Sequence, residues 1–187
     1  MANEVVVRDV VLLAYNAFDG TIRGKTLLQK RLYFLSIFLG LDLGYEAHYY
    51  GPYSEEVTTA NLELKSLGFL TESVTGWGVD RRGFELARYD YFLSEVGSRM
   101  AEKKAVTFAE LYSKIEGAVA TVKQGGELDY MELSIAAKAF YVLKQLNRKA
   151  TIEEIALMLP KFGWSVTNED LQKAADFLSK VKLVSHA

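Results

Sequence analysis

The chain has 187 residues and a mass of 21.0 kDa, half of them hydrophobic and a quarter charged. Its 22 basic and 24 acidic residues leave a net charge of −2 and a pI near 5.8, unlike a strongly basic nucleic-acid clamp, whose affinity comes from clustered Lys and Arg. There is no cysteine, so disulfides, thiolate nucleophiles and Cys-ligated metal sites are excluded, and two histidines, His48 and His186, cannot build a multi-histidine metal cage.

The start, Met1-Ala2-Asn3-Glu4, lacks the basic segment of a secretory signal. The longest apolar run, residues 32–41, is about half of the ~20 needed to span a bilayer. It reads as a buried helix, and a cytoplasmic location is expected.

Residues 5–18 carry apolar side chains at helical spacing (Val6, Val10, Leu13, Ala14, Ala17), closed by Asp19-Gly20. A second helix is predicted over 26–39, with Thr26 as its N-cap and Gly40 as a left-handed terminator. Residues 45–50 alternate like a short strand, and Gly51-Pro52 breaks it. Ser54 then caps a third helix, with Glu55 and Glu56 in the first turn, where the helix dipole favours acids, and Gly68 at its end. Residues 69–74 and 84–93 read as a hairpin, with Gly76-Trp77-Gly78 in the connecting loop. Three helices and a hairpin are the order of a winged helix.

Ser94 caps a short helix to about Lys104, where a boundary between a winged-helix domain (1–104) and a helical domain (105–187) is placed. Helices follow over 108–123 and 128–146. Thr151 and Glu154 form a capping box for another, which Pro160 stops, and Thr167 opens the last. Lys182-Leu183-Val184 resembles the start of a wing that is never built. The predicted architecture is mostly α with a small β-hairpin (α+β): a winged helix-turn-helix followed by a helical half resembling a degenerate second winged helix.

Gly20-Thr21-Ile22-Arg23-Gly24-Lys25-Thr26 imitates a phosphate-binding loop, but has three residues between its glycines where four are required, and follows a helix. It reads as a helix-to-helix turn. His48 has no nucleophile or carboxylate pair at recognisable spacing, so no catalytic constellation is assembled. No enzyme activity, cofactor or metal is expected.

Leu28-Gln29-Lys30-Arg31-Leu32-Tyr33, then Tyr50-Gly51-Pro52-Tyr53-Ser54, then Leu67-Gly68-Phe69-Leu70 resemble the Panacea (SocA-like antitoxin) domain and related winged-helix proteins of bacteria and archaea. The resemblance spans about residues 4–75. It implies a winged-helix-like module without established enzymatic activity, used in antitoxin or adaptor-type protein binding and sometimes associated with DNA.

The expected function is a non-enzymatic, regulator-like winged-helix module that contacts double-stranded DNA through its basic wing; the alternative is an antitoxin-like adaptor that binds a polypeptide. The third helix offers Asn61 and Lys65 to a partner but also Glu55, Glu56 and Glu63. Basic residues gather instead at Arg23, Lys25, Lys30 and Arg31, and at Arg81, Arg82 and Arg88 on the hairpin. Trp77 beside Arg81 and Arg82 suits stacking on a base or anchoring in a pocket. Tyr50 and Tyr53 flank the Gly-Pro turn as a recognition surface, and Tyr33 is expected to touch one of Tyr49, Tyr50 or Tyr53. A homodimer through the C-terminal helices and no membrane contact complete the expectations.

Overall fold

The computed structural model describes residues 5–79, 85–126 and 128–185. Helix α1 (Val7–Ala17) buries the run from Asp9 to Tyr15. It ends in two successive left-handed residues, Asp19 (φ 59°) and Gly20 (φ 74°), which turn the chain back on itself. The segment read as a plain turn is then a short strand, β1 (Thr21–Arg23). It is a strand because a distant partner reaches it: Ile22 pairs with Tyr91, and both are buried.

Helix α2 (Lys25–Leu39) starts directly from Gly24, not from Thr26, because the Gly24 amide is held by the Tyr89 carbonyl at 3.0 Å with φ at 97°. It ends at left-handed Gly40, as expected. Helix α3 (Glu55–Ser66) is capped by the Ser54 hydroxyl, which accepts from the Val57 amide at 3.0 Å. The expected strand over 45–50 reduces to a single bridge, Glu46 with Tyr53.

Strands β2 (Leu70–Val79) and β3 (Glu85–Leu93) pair antiparallel, with an irregularity between Gly76 and Val79. Gly76, Trp77 and Gly78 are therefore strand residues and not loop. Arg81 and Arg82, like the side chain of Trp77, lie outside the described residues. The sheet order β1-β3-β2 places the last strand in the middle. The protein is mostly helical with one small antiparallel sheet, an α+β fold.

Ser94 caps α4 (Glu95–Thr107), so the expected junction near 104 falls inside a helix. That helix is tied to α1 by the Lys104 ammonium and the buried Asp9 carboxylate, 3.0 Å apart. Helix α5 (Ala109–Gln124) packs on α1 and α2, placing Ile115, Ala118 and Val119 in the first core. Helix α6 (Tyr130–Leu146) opens with a capping box of Asp129 and Glu132. Helix α7 (Ile152–Met158) opens with that of Thr151 and Glu154, and α8 (Asn168–Lys180) is capped by Thr167. After α8, left-handed Lys182 (φ 60°) redirects the chain, and residues 183–185 form no strand.

Helix α2 serves both halves. Leu28, Leu32 and Leu35 pack in the first core, whereas Tyr33 and Phe34 belong to the second, where Phe34 meets Phe177 edge-on at 5.5 Å. Such nearly all-round burial requires every polar side chain on the helix to find a partner, and that requirement shapes the site. Among the described residues, no helix is long and apolar enough to cross a membrane.

Candidate interaction site

Residues 41–54 return the chain from α2 to α3 without regular structure, so their backbone groups need partners from elsewhere. Gln29 supplies two: its amide nitrogen donates to the Ser54 carbonyl, and its amide oxygen accepts from the Ser54 N–H, each at 3.0 Å. The same nitrogen lies 2.9 Å from the Thr58 hydroxyl. Lys30 donates to the Pro52 carbonyl at 2.6 Å. The Gln-Lys pair of α2 and the Gly-Pro corner are thus two sides of one joint. Tyr45 closes it from below, donating to the Gln29 carbonyl at 2.8 Å.

The C-terminal half grips the same corner. The Trp164 indole N–H donates to the His48 carbonyl at 2.7 Å, and the Ser134 hydroxyl donates to the Tyr50 carbonyl at 2.5 Å. Gly51, at φ 97°, is needed twice over. A Cβ there would also meet the Lys138 stem at 3.1 Å and the Lys30 stem at 3.4 Å. Burial, reinforced by the neighbouring Lys138 ammonium, pushes Lys30 down to about 7. Burial likewise lowers Lys138.

With its carbonyls turned inward, the corner presents its rings outward. Tyr49 is 72% exposed and Tyr50 55% exposed, packed edge-on at 4.8 Å. His48 is exposed beside Tyr53, with ring centres 4.8 Å apart, and the Tyr53 hydroxyl accepts from Thr58 at 2.7 Å. Glu46, Glu55 and Glu56 are exposed around the corner and give it an acidic rim.

The expected contact residues divide into groups. Lys30 is 1% exposed and Asn61 is 3% exposed, so neither offers a donor to a partner. Asn61 instead accepts from the Tyr15 hydroxyl at 2.8 Å, because α3 packs that face on α1. Tyr33 is buried, but its ring partners are Phe34 and Tyr45 at 5.5 and 5.1 Å, not the corner tyrosines. Its hydroxyl has no hydrogen-bond partner among the described residues, and burial raises its pKa.

The remaining cations gather near the sheet, most of them already engaged. Lys25 sits 3.7 Å over the Tyr89 ring, Arg31 4.5 Å over Phe18, and Arg88 pairs with Asp90 at 3.0 Å. Arg23 is exposed, with Asp90 opposite it in the ladder. Lys65 pairs with Glu72 at 2.6 Å. The exposed residues of α3 are Glu55, Glu56, Thr59, Leu62, Glu63, Lys65 and Ser66, a mainly acidic and partly apolar set where a DNA-reading helix would expose several donors to base edges.

Sequence reasoning missed Ser134, Lys138 and Trp164, which lie 84 or more positions from the carbonyls or glycine they serve. Only Trp164 carried a signal: a large aromatic just past a Pro-stopped helix, close to Phe162 and Val166.

These features define a mostly helical α+β protein with one small antiparallel sheet, whose aromatic corner is held from one side by α2 and from the other by Ser134 and Trp164. No family model matches the chain. It is similar to uncharacterized protein YwgA of Bacillus subtilis (strain 168), at 26% identity over 167 residues covering 89% of this chain and 91% of that relative.

Proposed function

We propose that the protein is a non-enzymatic adaptor that docks a polypeptide partner on the corner formed by Tyr49 and Tyr50. The observation that carries this reading is the combination of two exposed rings with a backbone held at His48, Tyr50 and Pro52. Binding hot spots are rich in tyrosine, and a rigid backbone avoids the entropy of ordering a loop on association. The acidic rim of Glu46, Glu55 and Glu56 favours a basic partner and disfavours nucleic-acid phosphate. The same acids on α3, with Asn61 turned inward, make the DNA reading the weaker of the two.

The test is affinity capture from source-cell lysate with wild type and a Tyr49→Ala/Tyr50→Ala variant, followed by measured binding of the captured protein. The double variant should weaken binding by about 2 kcal/mol or more, as loss of interface anchors does, with its melting temperature unchanged. Retention on generic duplex DNA at low salt, lost with Lys25→Glu but not with the tyrosine variant, overturns the proposal.

A further inference from the structure

The second half repeats the ending of the first down to its backbone hydrogen bonds. The amides of Leu67, Gly68 and Phe69 donate to the carbonyls of Glu63, Lys65 and Leu64. Those of Val181, Lys182 and Leu183 donate, at the same offsets, to Phe177, Ser179 and Leu178. Gly68 and Lys182 are both left-handed, and buried Val57, Ala60 and Leu64 of α3 correspond to buried Leu171, Ala174 and Leu178 of α8. Residues 148–150 lead into capped α7 as β1 leads into α2.

In the first half β1 and β2 are separated by β3, whose Tyr91 is 4% exposed and seals the core beneath. In the second half residues 148–150 and 183–185 are present, but among the described residues no strand lies between them. A groove of ≈ 700 Å³ opens there, lined by both segments. Its floor is apolar, with Phe140, Leu143, Ile155 and Leu178. The charged side chains lining it are Lys144, Arg148 and Lys149, with no acid among them. Arg148 reaches Glu154 at 2.7 Å in an exposed pair, whereas Lys144 and Lys149 have no anion among the described residues. The first half shows what such a slot accepts: Asp90 of β3 lies opposite Arg23 of β1, with Tyr91 beside it opposite Ile22.

We propose that this groove receives an extended acidic strand from a partner polypeptide, seated between residues 148–150 and 183–185 as β3 is seated between β1 and β2. Main-chain hydrogen bonds would hold the strand, alternate apolar side chains would enter the floor, and acids would meet Lys144 and Lys149. This surface is separate from the tyrosine corner and stands or falls independently of it.

The test uses a fluorescent peptide alternating valine and aspartate, its valine–lysine counterpart, and the aspartate peptide N-methylated at alternate amides. Saturable binding of the aspartate peptide alone, with new exchange protection at amides within 148–150 or 183–185, supports the proposal. Lys149→Glu changes an exposed side chain and should weaken that binding about tenfold while improving the lysine peptide. Tyr49→Ala/Tyr50→Ala should leave it unaltered. Absence of saturable binding, equal binding of the N-methylated peptide, or a homodimer that protects these same amides overturns it.

Discussion

The side-chain amide of Gln29 and the backbone of Ser54 form a closed pair of hydrogen bonds, N–H to oxygen in both directions at 3.0 Å. Gln29 is 3% exposed and Ser54 is fully buried, so water cannot replace either bond. Gln29→Leu should therefore lower stability by about 2 kcal/mol, since the Ser54 N–H loses its partner in a dry site while the Ser54 carbonyl keeps the Thr58 amide. Urea denaturation measures it. A loss below about 1 kcal/mol would mean that the corner relaxes to find other partners.

Tyr33 gives the opposite expectation. Its hydroxyl is buried without a partner among the described residues, and a polar group left unsatisfied opposes folding. Tyr33→Phe should be neutral or should stabilise by up to about 1 kcal/mol, with the edge-on packing on Phe34 and Tyr45 retained. A clear destabilisation in the same titration would show that this hydroxyl does useful bonding.

Lys30 makes stability depend on pH. Its folded pKa, about 7, lies below the ordinary 10.5, so the unfolded chain binds more protons between these values. Stability should rise with pH from about 7 upward, by at most about 1.4 kcal/mol per pH unit. Below about 7 the burial penalty is complete and this contribution is flat. Lys138, also lowered, acts in the same direction. Buried Tyr15, Tyr33 and Tyr45 have raised pKa values and act oppositely. Their stabilisation is lost only above pH 10, so the measurement belongs between about pH 7 and 9.5. Lys30→Met should flatten the slope in that window, and an unchanged slope would remove Lys30 as its source.

Gly97 sits where α4 crosses the start of the hairpin. A Cβ there would lie 2.0 Å from the Phe69 carbonyl oxygen, which is backbone and cannot swing away. That carbonyl is also held by the Ser94 amide at 2.9 Å. Gly97→Ala should destabilise by about 3 kcal/mol despite the higher helix propensity of alanine. Gly117 has open space around it, so Gly117→Ala in α5 should instead stabilise by a few tenths of a kcal/mol or more. Thermal melts of the two variants should shift in opposite directions.

The sequence by itself determined most of the helix ends, the start of α2 excepted. Ser54, Ser94, Thr151 and Thr167 cap where they were expected to, and Gly40 and Gly68 lie at the predicted terminations, because caps depend on residues three or four positions apart. The apolar run beginning at Leu32 likewise marked α2 as a buried helix. Only the tertiary structure decided that β1 is a strand, that Asn61 and Lys30 turn inward, and that the Gly-Pro corner is held by Ser134 and Trp164. Those outcomes depend on partners dozens to more than a hundred residues away. A polar side chain at the boundary of two cores takes whichever backbone group the packing leaves unpaired, and that group is not marked by any local pattern.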